Sequence, residues 1–473
     1  MEADSQMNDH AVPVAASSFF DILVIGGGNA GCTAAIAAAR LGARVCLVER
    51  YGFLGGTATA ALVAPWMTYH AGTDGEAGRV TGAIAQEYVQ RLMAMGGSPG
   101  HLPDSSDYVP TITPFDPEMH KWLLMLMCEE AGVHLLLHAT FLASVVEGAR
   151  IAGVWVQTVA GPRELTARRV IDCSADALVS YAAGVPCRQG NAEGLVQPMT
   201  MMFRLSHVDL DATAAWLREH PDQIRTSLRP EQFSADSLTV IAGLWDVWKA
   251  ARDAGEVDIP REIVSLFRGA HRDEVTVNMT RVVGLDPLDP DDLTRAEVET
   301  RRQTMSLLRF FQRRVPGFER CRLAATPAQV GVRESRRIVG DYELTGDDLL
   351  HARTFADAVA RSGYPIDIHS PKGAGTTTVR LPEGRTYEIP YRCLVPSRID
   401  DLLVAGRCIS VTHEALASTR LTPTIMTLGQ AAATAAVQSL HAGVPPRRID
   451  TDVLRSSLVA QGVDLRRPEP LPS

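Results

Sequence analysis

The sequence predicts an α/β protein in which a dinucleotide-binding βαβ unit, completed by distant segments of the chain, carries an inserted α+β domain. Three observations predict it. Ile22-Leu23-Val24-Ile25 is a short, β-branched apolar run of the kind buried in parallel sheets. It leads straight into Gly26-x-Gly28-x-x-Gly31 and an alanine-rich helix over 32–41. A second strand over 44–48 ends at Glu49, and a further buried strand, 402–405, stands near the other end of the chain.

Each part of the opening unit has a mechanical role. Gly26 permits the tight turn, Gly28 lets backbone approach a pyrophosphate, and Gly31 lets helix pack close on strand. Asn29 and Ala30 sit inside the turn, where the helix N-terminus offers unpaired N–H groups to phosphate. Glu49 is placed to accept from adenosine ribose hydroxyls, with Arg50 beside it. Tyr51 to Thr59 then holds the pair Gly55-Gly56 and Thr57, where a missing Cβ lets backbone pass close to a ring or ribityl chain.

The chain has 473 residues, enough for two or three folding units at about 150 each. With 46% hydrophobic and 21% charged residues it is an ordinary globular composition. The net charge of −9 gives no basic footprint for nucleic acid or an anionic membrane, and neither is expected as a partner. The eight cysteines form no CxxC pair and no cluster with histidine, so no metal site is expected and free thiols in a reducing, cytoplasmic setting fit best. Residues 1–20 lack a basic n-region and an apolar core and read as a disordered leader. The apolar helix near 423–440 is interrupted by Thr, Gln and Ser and falls short of the roughly 20 apolar residues of a membrane span.

Later elements follow in order. Helices are expected over 80–95 and 119–130, the second opened by Asp116-Pro117-Glu118, then a strand over 133–138. A meander over 141–147, 151–158 and 164–167 turns at Gly148-Ala149-Arg150. The strand at Arg169 to Asp172 runs into Cys173-Ser174-Ala175-Asp176, the small-residue end a sheet needs where it meets a nucleotide. Polar helices over 209–218, 237–254 and 293–314, with a strand over 274–281, mark the inserted domain. In Tyr364 to His369, Asp367 and His369 alternate with isoleucines and share one face if extended. Thr422-Pro423 starts a helix whose Gly429 and Ala431 to Ala433 are small enough for close helix packing. The expected organisation is a leader (1–20), a first part of the nucleotide domain (21–185), an inserted cap with active-site strands (186–392), a second part (393–445) and a peripheral tail (446–473).

Together with GFLGG, VNMTR, GVRESRRI, YPIDIH and IPYRCLVP, these segments resemble the FAD-dependent oxidoreductase family over about residues 20–442. The branch is that of glutathione-reductase-like flavoproteins related to fumarate reductase and succinate dehydrogenase flavoprotein subunits. The resemblance implies a Rossmann-like FAD-binding domain, discontinuous in sequence, with a substrate-bearing cap. It puts the pyrophosphate on Gly26, Gly28 and Gly31 and the ribose on Glu49. Gly55, Gly56 and Thr57 lie along the flavin and the backbone of Phe141 meets adenine. Ser174 and Asp176 flank the pyrophosphate, and Gly406 with Arg407 lies near the ribityl chain. Relatives carry Ala-Gly-Asp where this chain has Ala405-Gly406-Arg407, so the usual ribitol carboxylate is missing. No histidine segment for covalent attachment and no iron–sulfur cysteines are visible, which implies dissociable FAD and a diffusible electron acceptor or donor.

A flavin performs the redox step and the protein supplies orientation and proton transfer. Candidates on the substrate side are His369 and His413 as acid/base, Arg333, Arg336 and Arg420 as carboxylate clamps, and Tyr391. Thr280 and Arg281 are candidates to close over substrate, and Asn278 reads as supporting the strand. The leading expectation is hydride transfer between flavin N5 and a C–H bond beside oxygen or nitrogen, or an activated C=C. Alternatives are a flavin monooxygenase, an RNA-modifying or electron-transfer flavoprotein with a macromolecular partner, and a flavin carrier without turnover. Oligomeric state stays open, a homodimer included.

Overall fold

The computed structural model describes residues 18–71, 78–382 and 384–466. The opening run forms the strand Ser18–Ile25, longer than its apolar tetrapeptide because Ser18 to Phe20 continue the parallel register against Leu165 to Ala167. The expected leader therefore ends before Ser18, and residues 1–17 lie outside the described residues.

A seven-stranded sheet runs His134–Leu136, Val45–Val48, Ser18–Ile25, Gly161–Asp172, Arg150–Thr158, Thr140–Glu147, and Leu402–Val404 also pairs with Gly161–Asp172. The strands expected at 164–167 and 169–172 are one. Its first half closes the antiparallel meander and its second half is parallel to the opening strand and to Leu402–Val404. This places three carboxyl ends level: Ile25 is in register with Asp172, and Asp172 with Val404. The turns that follow, at Gly26, Cys173 and Ala405, are bound to one another through Cys173 N–H to Ile25 O at 2.9 Å and Ala405 N–H to Asp172 O at 3.1 Å. Ligands of open α/β sheets bind at such an edge.

On one face the helix Asn29–Arg40 packs against the long helix Thr422–Ala442, whose core positions are largely alanine. The approach is close because the long helix carries glycine there: a Cβ on Gly429 would lie 2.2 Å from Ala30 O. The long helix is flanked at its start by Leu421, not capped by Thr422, and makes no side-chain capping bond. Pro117–Glu130, by contrast, is capped by the Asp116 carboxylate as its sequence predicts.

A second core fills a five-stranded antiparallel sheet, Val240–Gly243, Val264–Arg268, Val275–Val277, Phe203–Ser206, Arg322–Ala325, backed by Leu210–Glu219, Trp245–Asp253 and Pro290–Arg314. The helix expected over 237–254 is split: Val240-Ile241-Ala242-Gly243 joins the sheet, Leu244 turns the chain at φ 53°, and the helix begins at Trp245. This core ends near Cys321. Residues such as Leu344, Val359, Tyr387 and Cys393 join the large sheet's core instead, so the packed cap is narrower than 186–392. The expected peripheral tail is also partly core: Thr451–Ala460 buries Leu454 and Leu458 four residues apart on one helix face, and Arg361 binds Asp464 at 3.3 Å. No helix among the described residues is long and apolar enough to cross a membrane.

Candidate functional site

The carboxyl edge of the large sheet opens into a cavity of about 450 Å³ that continues under the cap sheet. Its floor is backbone. Gly26 takes φ 104°, and a Cβ on it would lie 2.4 Å from Cys173 O. A Cβ on Gly31 would lie 1.9 Å from Gly26 O, which fixes how tightly the turn winds into the helix. Gly28 lines the cavity and packs against the second glycine segment, its Cβ position 3.6 Å from Gly56 Cα. Asn29 ties the two glycine segments together, donating to Gly55 O at 3.0 Å, and its Oδ1 sits 2.8 Å from His120 Nε2. The helices at Asn29 and Thr422 both reach the cavity with uncapped N-termini, two positive dipole ends on one space.

The wall facing that floor is cationic. Arg261, Arg333 and Arg420 line it against the acids Asp367 and Glu262. Arg333 donates to Pro198 O at 2.7 Å and Thr200 Oγ1 at 2.5 Å. Burial, then the charges of Arg420, Arg261 and Arg281, hold its pKa well below the ordinary guanidinium value. Arg261 is lowered to about 10 by burial and Arg281. The Nε atoms of Arg261 and Arg420 and the Oδ1 of Asn278 are buried with no partner among the described residues. Buried polar atoms are nearly always satisfied, so three orphans on one cavity wall mark a surface built for a ligand.

His369 and Asp367 share a face of the strand Ile366–His369, as their alternation predicts, with Nε2 3.3 Å from Asp367 Oδ2. Burial and then Arg333 push the His369 pKa down to about 3, against the pull of Asp367. Burial works to raise Asp367, but His369 and Arg420 outweigh it and keep the carboxyl below its usual range. At neutral pH the pair is a neutral imidazole donating to a carboxylate. Tyr364 and Tyr108 stand beside it, with Tyr364 Oη 3.5 Å from Asp367.

Residues 21–458 match the family described as FAD dependent oxidoreductase. The chain belongs to that family. No curated protein matches it. Among solved structures it is similar to a triple mutant of the flavin-dependent brominase Bmp2, at 13% identity over 93% of this chain and 84% of that one, TM-score 0.49. The p-nitrophenol 4-monooxygenase PnpA from Pseudomonas putida DLL-E4 shares 12% over 93% and 84%, TM-score 0.47. A geranylgeranyl bacteriochlorophyll reductase-like protein from Thermoplasma acidophilum shares 11% over 96% and 94%, TM-score 0.45.

The cofactor of the family is FAD, and the residues present fit it. Gly28, Asn29, Ala30, Gly56, Thr57 and Gly406 line the cavity, and two side-chain-free glycine segments meeting at Gly28 and Gly56 form the kind of backbone cradle a dinucleotide needs. Glu49 is buried, accepting from Gly27 N at 2.6 Å and Tyr51 N at 2.9 Å, which leaves each oxygen a free lone pair for a ribose hydroxyl. Burial raises its pKa and those backbone bonds pull against the shift.

Other expected residues are engaged elsewhere. Ser174 Oγ donates to Asp172 at 2.6 Å and accepts from Leu178 N, a turn-building role. Asp176 accepts from Ser335 Oγ at 2.6 Å and from Arg407. Arg407 reaches the cavity wall, yet its guanidinium also donates to Ala175 O and Val332 O, so it clasps three segments. Arg50 is exposed, bonded to Gln329 and lying over the Tyr51 ring at 5.0 Å. The Phe141 side chain packs on the core at the start of Thr140–Glu147, and its backbone pairs with Val156.

On the substrate side the structure gathers His369, Arg333 and Arg420, and separates three others. His413 Nδ1 meets Glu334 at 2.9 Å, and Glu334 is buried against Arg337, so that histidine closes an internal network. Arg336 lies 4.0 Å over the Tyr181 ring, outside the cavity. Tyr391 donates to Pro446 O at 3.0 Å in the core. Thr280 bonds both backbone groups of Met201. Sequence reasoning missed Arg261 and took Asn278 for ladder support. Arg261 lies in no motif, and Asn278 stands in VNMTR with nothing in the motif to mark it for the cavity; the strand pairing that sets Asn278 N on Ser265 O, and Arg261 donating to Asn278 O, bring the two together. His120 was missed too, although it stands in the helix Pro117–Glu130 whose cap the sequence gives.

Proposed function

We propose that this FAD-dependent oxidoreductase transfers hydride between flavin N5 and a small anionic substrate whose reacting C–H lies beside oxygen or nitrogen. The observation that carries the reading is the arginine wall: Arg261, Arg333 and Arg420 facing one cavity, two of them with orphaned Nε atoms. A bound carboxylate would offset the arginine–arginine repulsion that adds to burial in lowering Arg333, and could be held by these guanidinium groups in bidentate fashion. FAD supplies the hydride acceptor or donor when bound. The protein's own residues do the rest. The uncapped helix ends at Asn29 and Thr422 stabilise negative charge on the cofactor side. Asp367, ionised, accepts a hydrogen bond from a substrate hydroxyl or amine. His369 is the group in reach that can take the proton once substrate charge offsets Arg333 and Arg261. The electron partner is a diffusible small molecule.

The test is anaerobic bleaching of the bound flavin by matched pairs of small alcohols and amines, each with and without a carboxylate. The carboxylated member is expected to reduce the flavin at concentrations at least about tenfold lower, the worth of one charge-assisted hydrogen bond. Equal reduction by neutral and anionic members would defeat the reading.

A further inference from the structure

Arg281 does not face the cavity with the other arginines, and it is only 1% exposed. One of its terminal nitrogens donates to Gly373 O at 3.0 Å, Gly375 O at 3.2 Å and Ala374 O. The other donates to His369 Nδ1 at 2.8 Å. A guanidinium has no acceptor, so Nδ1 must be the accepting nitrogen and the ring proton sits on Nε2, toward Asp367. Thr376 Oγ1 lies 3.3 Å from the same Nδ1. The lone pair on which a proton-accepting role depends is therefore already used.

The three carbonyls form the tip of a hairpin, Ile366–His369 paired with Thr376–Val379, which is a separate two-stranded sheet. Asp367, His369, Thr376 and Thr378 of this hairpin line the cavity, so the hairpin is one of its walls. Gly373 and Gly375 leave the tip sterically loose: the nearest atoms to a Cβ there are 3.9 and 3.8 Å away. Arg281 holds the three tip carbonyls from the cap, and at the surface Lys372 of the tip pairs with Glu193.

We propose that Arg281 is a positioning residue for the reaction: it anchors the cavity hairpin by its tip and occupies the His369 lone pair, so the imidazole takes up a proton only when the guanidinium moves away. The proposal rests on the cavity being the reacting site. Ligand charge at Arg333 and movement of the hairpin tip would then be coupled through one residue that need not touch substrate. The groups that face His369 are Asp367, Arg333, Arg261, Arg281 and Thr376, and only Arg281 and Thr376 contact Nδ1.

The experiment uses FAD-loaded protein with ¹⁵N-labelled histidine, the His369 signal assigned by its loss in His369→Gln. In the wild type, His369 is expected to stay neutral, with an unprotonated Nδ1, down to pH 5. In Arg281→Met that retains FAD, His369 is expected to protonate at a pH higher by about one unit, a tenfold gain in proton affinity. Amide exchange across 370–376 is expected to quicken by about tenfold as the tip is released. A wild-type His369 that titrates like an ordinary histidine overturns the proposal whatever the variants do, and so does an Arg281→Met protein with unchanged titration and exchange. If Arg281→Met does not retain FAD, Arg281→Lys serves: an ammonium cannot span three carbonyls and the imidazole, so the exchange or the titration must move. These measurements need no substrate. Their success alongside a failed bleaching screen would leave the role of Arg281 standing and remove the proposed reaction.

Discussion

The Arg407 guanidinium donates to the Asp176 carboxylate across 231 residues of sequence, joining the turn after Leu402–Val404 to the turn after Gly161–Asp172. Both turns edge the cofactor cavity, and the pair is largely shielded, with the side chains 11% and 27% exposed. A carboxylate at position 407 would put two acids together there. This chain uses the pair as a clasp. Arg407→Met is expected to lower stability by about 1–3 kcal/mol, because Asp176 and the carbonyls of Ala175 and Val332 lose a donor. FAD affinity should fall with it. Thermal unfolding with and without added FAD measures both, and an unchanged melting temperature would count against the clasp.

The contact between the first helix and the last long helix is set by glycine. Gly429→Ala would place a methyl 2.2 Å from Ala30 O, which is backbone and cannot swing aside. The helices must part, at about 3 kcal/mol or more. Because Ala30 lines the cavity, FAD retention is expected to fall as well. Gly443→Ala in the same helix cap meets nothing within 4 Å and carries only the cost of its φ of 66°. Denaturant unfolding of the two variants side by side gives the comparison.

These positions show what the sequence makes legible. The opening turn and its helix follow from local pattern, since each depends on neighbours a few residues away, whereas the level strand ends and the seat of Gly429 on Ala30 are set by pairings far apart in sequence. The Asp367–His369 face follows from strand periodicity for the same reason. His413, Arg336 and Tyr391 have the right chemistry in the right stretch, but whether such a side chain meets cavity, core or ring depends on partners far away in sequence: Glu334, Tyr181 and Pro446. Arg261 and Asn278 are the converse. Arg261 carries no motif and VNMTR does not mark Asn278 for the cavity; a cap-strand bond from Asn278 N to Ser265 O and the Arg261 bond to Asn278 O deliver them. In the tail, Pro- and Arg-rich flanks obscure the buried Leu454–Leu458 pair.

His120 supports the glycine turn at one remove. Its Nε2 meets Asn29 Oδ1 at 2.8 Å, while Asn29 holds Gly55. His120→Phe keeps the ring contacts to Trp66 and Phe115 but leaves Asn29 Oδ1 buried without a donor. FAD affinity is expected to fall about tenfold, the effect of 1–2 kcal/mol from one orphaned acceptor. Titration of apoprotein with FAD, followed by fluorescence quenching, reads it directly.

Acid should weaken the fold through the same buried imidazoles. Burial holds His120 at about 3, and burial with Arg333 holds His369 at about 3, against about 6.5 in an unfolded chain. Between those values the unfolded state binds protons that the native state refuses, so stability falls as pH drops from 6.5 toward 3 and is unaffected above that window. Each histidine contributes a slope of up to about 1.4 kcal/mol per pH unit. His369→Gln, which removes one such group, is expected to show a shallower loss of melting temperature from pH 6.5 to 4.5. An equal slope would mean that His369 is not held neutral.

Arg420 gives the sharpest separation between binding cofactor and binding substrate. It lines the cavity from the end of His413–Thr419, its Nε is buried without a partner, and it adds to the field on Arg333 and Asp367. Arg420→Leu removes a cation that the buried Asp367 carboxylate faces, so the fold should be somewhat less stable than the wild type. The visible spectrum of the bound flavin should keep its shape. The concentration of anionic substrate needed for half-maximal bleaching should rise by about 10–100-fold, from the loss of a charge-assisted bond. The neutral analogue should be unaffected. A parallel rise for both analogues would place Arg420 in the wall of the cavity without a part in reading substrate charge.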